Sequence, residues 1–291
     1  MPDLRPLASL SLAERLNFLV TNRLPRRWLT LATGRFSKIE NPLLARMSIA
    51  VWRLFADDLR LHEAKRSSFR SLHECFVREL AEGARPVDPR PEIVTSPCDA
   101  VVGEFGSVRD VEVIQAKGFP YELPELLGSD ADAAVYRNAR FVTLRLKSSM
   151  YHHFHAPCDG RVEGIRYITG DTWNVNPVAL KVVERLFCRN ERVVIPIERP
   201  RGGPVTLVAV AAILVASLRL DGLDFPLDLE YRGPNDIMLE RNFVKGEHMG
   251  YFEHGSTIVL LAPAEFEFVD SVVTGRVIRM GQPLLVPAKP V

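Results

Sequence analysis

From Pro91 onward the chain is a succession of short β-branched runs broken by glycine, proline and aspartate, and this texture limits the fold more than any other feature. Val101-Val102, Phe141-Val142-Thr143-Leu144, Arg192–Ile197, Val205–Val215, Thr257–Leu261, Val272-Val273 and Arg276–Ile278 read as strands between turns. Leu180–Leu186 is the one short helix expected among them. Strands do not alternate with long helices, so a doubly wound parallel sheet is disfavoured.

The first 85 residues follow a helical period instead. Ser11-Leu12-Ala13-Glu14 forms a capping box, Leu12, Leu16 and Leu19 share one face, and Pro25 stops the element. Asn41-Pro42 supplies an N-cap and a helix-compatible proline ahead of Leu43, Met47, Val51, Leu54 and Phe55. Ser71-Leu72-His73-Glu74 is a second capping box, whose apolar face continues through Phe76 and Leu80 towards Gly83. The expected class is α+β: a basic helical region over 1–85, packed on a β-rich catalytic body of mainly antiparallel strands over 86–291. The chain shows no internal repeat and no low-complexity linker.

At 291 residues with 47% hydrophobic content, the chain can bury one substantial core or two modest ones. Its net charge of +1 excludes a chain-wide polyelectrolyte partner such as nucleic acid, yet residues 1–70 hold thirteen Lys/Arg against six Asp/Glu. Helices carrying Trp28, Phe36, Trp52 and Phe55 among arginines suit an anionic bilayer surface. Packing of those helices on the body accounts for part of the same surface. No secretory signal is read at the N-terminus, and no run approaches the ~20 apolar residues of a membrane span. The four cysteines lack a CxxC pair, which fits a reducing compartment. The expected location is the cytoplasmic face of the cell membrane, as a peripheral protein.

Three segments carry chemistry. In Gly255-Ser256-Thr257, the glycine removes the side chain that would hinder attack by the serine hydroxyl on the preceding carbonyl. Such an N→O acyl shift, followed by elimination, would leave a new N-terminal keto-acyl group. Ser96-Pro97-Cys98-Asp99 offers a carboxylate, and Tyr151-His152-His153-Phe154-His155 an imidazole. His155 would take the Ser256 proton while Asp99 orients and stabilises the imidazolium. Strand alternation puts His153 and His155 on one face and His152 on the other, although a turn near Pro157 would break that rule. Two rival chemistries use the same residues: a zinc site from His152 and His155 with Cys98, Cys158 or Asp99, and a Ser256-His155-Asp99 hydrolase. The first lacks an HExxH helix, and the second a GxSxG elbow.

With these segments in hand, the chain resembles the phosphatidylserine decarboxylases, a pyruvoyl-dependent family that makes phosphatidylethanolamine. The matches run in order from about residue 70 to 265: Phe76-Val77-Arg78-Glu79-Leu80, Arg85-Pro86-Val87, Ser96-Pro97-Cys98-Asp99, Gln115-Ala116-Lys117-Gly118 and Tyr151–Pro157. They continue with Gly170-Asp171, Asn174-Val175-Asn176, Phe187–Arg192, Lys245–Gly250 and Gly255-Ser256-Thr257. The resemblance implies that Asp99, His155 and Ser256 form a self-processing triad that cuts between Gly255 and Ser256. It implies a large chain 1–255, a small chain 256–291, and Ser256 converted to a covalent pyruvoyl group that forms a Schiff base with the substrate amine. His152 would assist the decarboxylation, no metal is called for, and the processed pairs would associate as a homodimer acting on phosphatidylserine at an anionic membrane.

The chain also departs from the family pattern. Ala100 stands where glycine is usual, His153 where arginine is usual, Met150 where aspartate is common, and His254 precedes Gly255 in place of an apolar residue. Alanines in Ala209–Ser217 occupy places often held by glycine. Lys117, Lys181, Arg241 and backbone amides are all open as grips for the lipid phosphate. A pyruvoyl decarboxylase of another serine lipid or a soluble amino acid, and an unprocessed anionic-lipid-binding relative, remain the alternatives.

Overall fold

The computed structural model describes residues 10–22, 26–114, 119–212, 217–253 and 256–288, the side chains of 20–22, 26–30 and 256 excepted. Gln115–Gly118, His254 and Gly255 therefore lie outside the described residues, as does the end of the run Val205–Val215. The helices are α1 (Leu12–Asn22), α2 (Arg26–Ser37), α3 (Pro42–Phe55), α4 (Leu72–Phe76), α5 (Leu123–Leu127), α6 (Asp130–Val135), α7 (Pro177–Val182) and α8 (Leu186–Arg189).

Both N-terminal caps form as the sequence dictates. The Glu14 amide donates to Ser11 Oγ at 3.2 Å while the Ser11 amide donates to Glu14 Oε2 at 3.0 Å. Asn41 Oδ1 accepts from the Leu43 and Leu44 amides at the head of α3. The faces these helices present are less expected. Leu12, Leu54 and Phe55 are 84%, 78% and 86% exposed, whereas Phe18 is the α1 side chain that is fully buried.

Helix does not continue to residue 85. Beyond Phe55 there is only a 3-10 turn at Leu61–Glu63 and the five-residue α4, and Leu80 bridges to Ala64 rather than extending a helical face. Arg78 explains the departure. Its guanidinium is buried and donates to the carbonyls of Leu59 (2.7 Å) and Ser149 (2.9 Å), which pulls the chain back onto the body. Likewise Leu180–Leu186 is not one helix: Arg185, at φ 52°, separates α7 from α8.

The strands are β1 (Val94–Thr95), β2 (Ala100–Ser107), β3 (Glu112–Ile114), β4 (Pro120–Glu122), β5 (Arg140–Leu146), β6 (His153–His155), β7 (Gly160–Ile168), β8 (Arg192–Ile197) and β9 (Val205–Ala211). They continue as β10 (Ser217–Leu220), β11 (Leu227–Asp228), β12 (Asp236–Phe243), β13 (His248–Phe252), β14 (Ser256–Ala262), β15 (Phe266–Phe268), β16 (Val277–Ile278) and β17 (Pro283–Pro287). The run Val272-Val273 is a turn, closed by the Val272 amide on the Val269 carbonyl.

An eight-stranded sheet in the order β12-β7-β8-β9-β14-β5-β2-β16 organises the molecule, beside a four-stranded sheet β11-β10-β13-β6 and a three-stranded sheet β1-β17-β15. All ladders between these strands are antiparallel, so the α+β expectation holds. The central strands β8, β9, β14 and β5 of the large sheet are buried on both faces. Ile258 and Leu260 of β14 pack with Phe154 and Phe252 of the second sheet, while Val259 and Leu261 pack with Tyr121, Leu126 and Phe187 from the helical side. Period-2 alternation therefore yields continuous apolar runs, since neither face meets water.

One buried side chain fixes the end of β9. Asn190 accepts from the Trp173 amide and donates to the carbonyls of Trp173 and Ala211 at 2.8–2.9 Å. Asn190→Ala would orphan these buried groups at a cost of roughly 2–4 kcal/mol. Urea unfolding should register that loss; a change below about 0.5 kcal/mol would show that Asn190 does not fix this strand end.

Candidate active site

The histidine-rich segment divides about the edge strand β6, which pairs with β13 in the register His248↔His155 and Tyr251↔His153. His152, just before the strand, is buried on the other side. Its ring stacks on Phe76 of α4 at 4.1 Å, and its Nε2 meets the Lys147 carbonyl at 3.0 Å, so Nε2 carries the proton. His153 and His155 share the face towards β13.

His155 is held as a neutral base. Its amide donates to the Pro97 carbonyl at 2.8 Å, and its Nδ1–H donates to the Gly246 carbonyl at 2.9 Å. The tautomer is thereby set, leaving Nε2 as an acceptor for the Tyr151 hydroxyl at 3.0 Å. Burial pushes the His155 pKa down to about 4, against the opposing effect of the Gly246 carbonyl. Burial also pushes the Tyr151 phenol upwards, so it stays a hydroxyl and a donor.

A hydrogen-bonded chain flanks this ring. His153 Nε2 faces the Val77 carbonyl at 2.9 Å, and its Nδ1 faces His248 Nε2 at 2.8 Å. His248 Nδ1 faces Asp221 Oδ2 at 2.7 Å. Both ends of this series meet pure acceptors, so the end nitrogens are the donors there. Burial holds the His153 pKa down to about 4. Tyr151 and Tyr251 sandwich His153 at 4.8 and 4.9 Å, and His248 lies edge-on to His155 at 5.3 Å.

Asp99 is buried in the same region but bonded elsewhere. Its carboxylate accepts from Arg85 Nε at 2.8 Å and Nη2 at 2.6 Å, and from the Met280 amide at 3.0 Å. Arg85 also donates to Glu63 at 2.8 Å; the hydrogen bond from Arg60, with that from Arg85, holds Glu63 down to about 2. The orienting contact expected between Asp99 and the imidazole is made by the Gly246 carbonyl. The Asp99 charge acts on His155 through space, favouring the protonated ring.

Ser256 opens β14, in register between Leu146 of β5 and Ala211 of β9. The same ends of β5 and β9 border a groove of about 920 Å³ under α2 and α3, lined mostly by apolar side chains including Phe36, Met47, Trp52 and Phe55. Three residues before Ser256, Glu253 is buried, bonded to Lys38 at 2.8 Å and approached by Arg219 and His73. Among the described residues no three His, Cys, Asp or Glu side chains converge as a metal site. Burial raises the Cys98 thiol well above its ordinary pKa, so that thiol is inert.

Several site residues were overlooked as such in the sequence although they stand inside its motifs. Tyr151 opens Tyr-His-His-Phe-His, Gly246 and His248 belong to Lys245–Gly250, and Arg85 starts Arg-Pro-Val. Asp221 had no signal beyond an Asp-Gly turn.

The family model described as phosphatidylserine decarboxylase matches residues 72–286. The phosphatidylserine decarboxylase proenzyme of Vibrio parahaemolyticus is 36% identical over 275 residues, covering 89% of this chain and 94% of that protein. Those of Vibrio cholerae and Aliivibrio fischeri are each 35% identical, covering 89% of this chain and 94% and 93% of theirs. The chain belongs to the phosphatidylserine decarboxylase family, a family of lyases whose relatives carry the name proenzyme.

His153 and His155, both lowered by burial, set a pH dependence of stability. Between their ordinary pKa of about 6.5 and their native value near 4, the unfolded chain binds protons that the native chain refuses. Stability should therefore fall as pH drops from 6.5 to 4. His155→Gln should flatten that slope by up to about 1.4 kcal/mol per pH unit in urea unfolding. An unaltered slope would mean the ring is not buried in its neutral form.

Proposed function

We propose that this chain cuts itself before Ser256 and then decarboxylates phosphatidylserine to phosphatidylethanolamine and CO2 at a membrane surface. The observation that carries the reading is a neutral imidazole, His155, with its acceptor nitrogen fixed, in a chain of this family whose Ser256 opens a strand buried from Thr257 to Ala262. In the cutting step the Ser256 hydroxyl attacks the Gly255 carbonyl, the peptide C–N bond breaks, and an ester forms. His155 Nε2 takes the hydroxyl proton, with Tyr151 as the donor it releases or the relay through which the proton passes. Removal of the Ser256 α-proton then expels Gly255 as a carboxylate. Water replaces nitrogen on the remaining enamine, ammonia leaves, and a pyruvoyl group stands at the new N-terminus.

The surroundings fit such a group. Residue 256 begins at the open end of three paired strands beside a roomy groove, and its neighbour Thr257 buries a hydroxyl with no partner. When formed, the pyruvoyl supplies an electron sink for the carbanion left by CO2. The protein binds the lipid, excludes water and returns a proton to the α-carbon. We assign the assisting role to His152, whose ring lies against Phe76 at the groove wall. Asp99 holds Arg85 and the Met280 amide, tying the large and small chains together, and stabilises an imidazolium on His155 from a distance.

The membrane-associating part is the helical region 1–85, and the catalytic part 86–291. α1 and α3 present Leu12, Leu16, Leu43, Met47, Leu54 and Phe55 outward, with Arg46 and Arg53 exposed among them. α3 has 14 residues, about 21 Å at helical rise, and no described helix is long and apolar enough to cross a bilayer. Docking on the surface of an anionic membrane accounts for this uncovered apolar face. A homodimer of processed pairs is the expected assembly.

Ser256→Ala should leave a single chain of 291 residues, whereas the wild type should yield residues 1–255 and a 36-residue fragment blocked by a keto-acyl group, read by mass spectrometry. Asp99→Asn and His155→Ala should each slow or stop the cut. A wild-type chain continuous through Ser256 that still releases CO2 would refute the reading. Leu43→Glu combined with Leu54→Glu should abolish flotation with anionic liposomes while leaving the cut intact. Undiminished flotation would place the docking surface elsewhere.

A further inference from the structure

The groove beneath α3 holds a cation without a described structural task. Arg145, the penultimate residue of β5, lines it and is half-buried. Among the described residues its guanidinium has no carboxylate and no carbonyl partner. Burial alone lowers its pKa, with no anion to offset the effect. Every other described cation considered for holding an anionic head group is engaged. Lys147, the second cation of the groove, pairs with Asp57 at 2.8 Å. Lys181 pairs with Glu14 at 2.8 Å, and Arg241 with Glu247 at 3.1 Å. Lys117 lies outside the described residues.

Arg145 is also placed next to the chemistry. Its register partner across the ladder is Thr257, the residue after Ser256. The Thr257 hydroxyl is fully buried and bonded to nothing, although side chains directly opposite in a ladder stand only about 5 Å apart at Cβ. Two ladder neighbours whose polar groups find no partner among the described residues offer two donors to an anion bound in the groove. Unpaired buried polar groups are costly, and a site that binds an anion is the ordinary setting in which they persist.

We propose that Arg145 grips the phosphate diester of the lipid substrate, with its acyl chains lying along the apolar α3 wall of the groove. This rests on the decarboxylase reading above and adds the residue that recognises the head group. In phosphatidylserine the phosphorus is three bonds from the serine α-carbon, so a phosphate on Arg145 leaves the amine beside residue 256. Guanidinium geometry suits two phosphate oxygens at once, which a lysine cannot match. The carboxylate to be lost is then kept away from the cation, which would otherwise stabilise it and oppose its departure.

The test uses mature full-length enzyme in mixed micelles of detergent and phosphatidylserine. Arg145→Met should cut itself normally and show a KM for phosphatidylserine raised about 10- to 100-fold, with kcat changed by less than about threefold. Arg145→Lys should recover part of the KM. An unchanged KM in Arg145→Met overturns the proposal. A fall in kcat at constant KM also overturns it, since that places the guanidinium on the reacting carboxylate, and so does loss of self-cleavage. Failure of the underlying decarboxylase reading looks different, because the wild type itself would then stay uncut or leave phosphatidylserine untouched.

Discussion

Strand β14 is paired along both edges, to β5 on one side and β9 on the other, in the middle of the largest sheet. Everything proposed about the site depends on that double pairing. A chain broken before Ser256 would leave the centre of the sheet in the hands of a 36-residue fragment, yet the ladder pairing of Thr257–Leu261 on both sides would remain. The same fragment supplies β16 to the edge of the large sheet and β17 to the middle of the three-stranded one. Its Met280 amide is held by Asp99. Cutting the backbone at that point removes connectivity without removing cohesion, because antiparallel ladders hold as well between chains as within one.

Electrostatics around His155 complement this mechanical arrangement. A base must be unprotonated at working pH, and burial supplies that at His155. The Gly246 carbonyl then fixes which nitrogen is free. His248, edge-on to that ring, is held in turn by Asp221 at 2.7 Å, with Arg241 4.0 Å from the same carboxylate. His153, at the position where the family usually has arginine, thus takes part in a hydrogen-bonded series that ends on Asp221.

The sequence exposed the parts of this design that depend on local rules. Ser11, Asn41 and Ser71 cap helices because short-range hydrogen bonding decides caps, and the alternation expected through the Tyr151–His155 segment separates His152 from His153 and His155, although the strand itself is only His153–His155. It concealed whatever depends on tertiary partners. Leu80 left the helical pattern because Arg78 bonds to Ser149, 71 residues further along the chain. Val272-Val273 had strand composition and became a turn. The expected contact of Asp99 with His155 gave way to Arg85 and Gly246, since a carboxylate is drawn to the nearest buried guanidinium whatever role a motif suggests. Arg145 stood unremarked in a run of apolar residues, where composition says only that a strand is interrupted.

An isolated guanidinium at the inner end of an apolar groove and a helical face with leucines turned outward look like two separate defects. Each is unfavourable in water: the first for want of a counter-ion, the second for want of cover. On the proposed reading one class of molecule would correct both, an amphiphile with an anionic head and two hydrocarbon tails, held in a bilayer lying against α1 and α3. Lys38, between α2 and α3, already reaches Glu253, so the connection into α3 is joined by an ion pair to the segment that precedes Ser256. On that reading the same few residues link the surface where the lipid would wait, the groove it would enter and the strand end at which its amine would react.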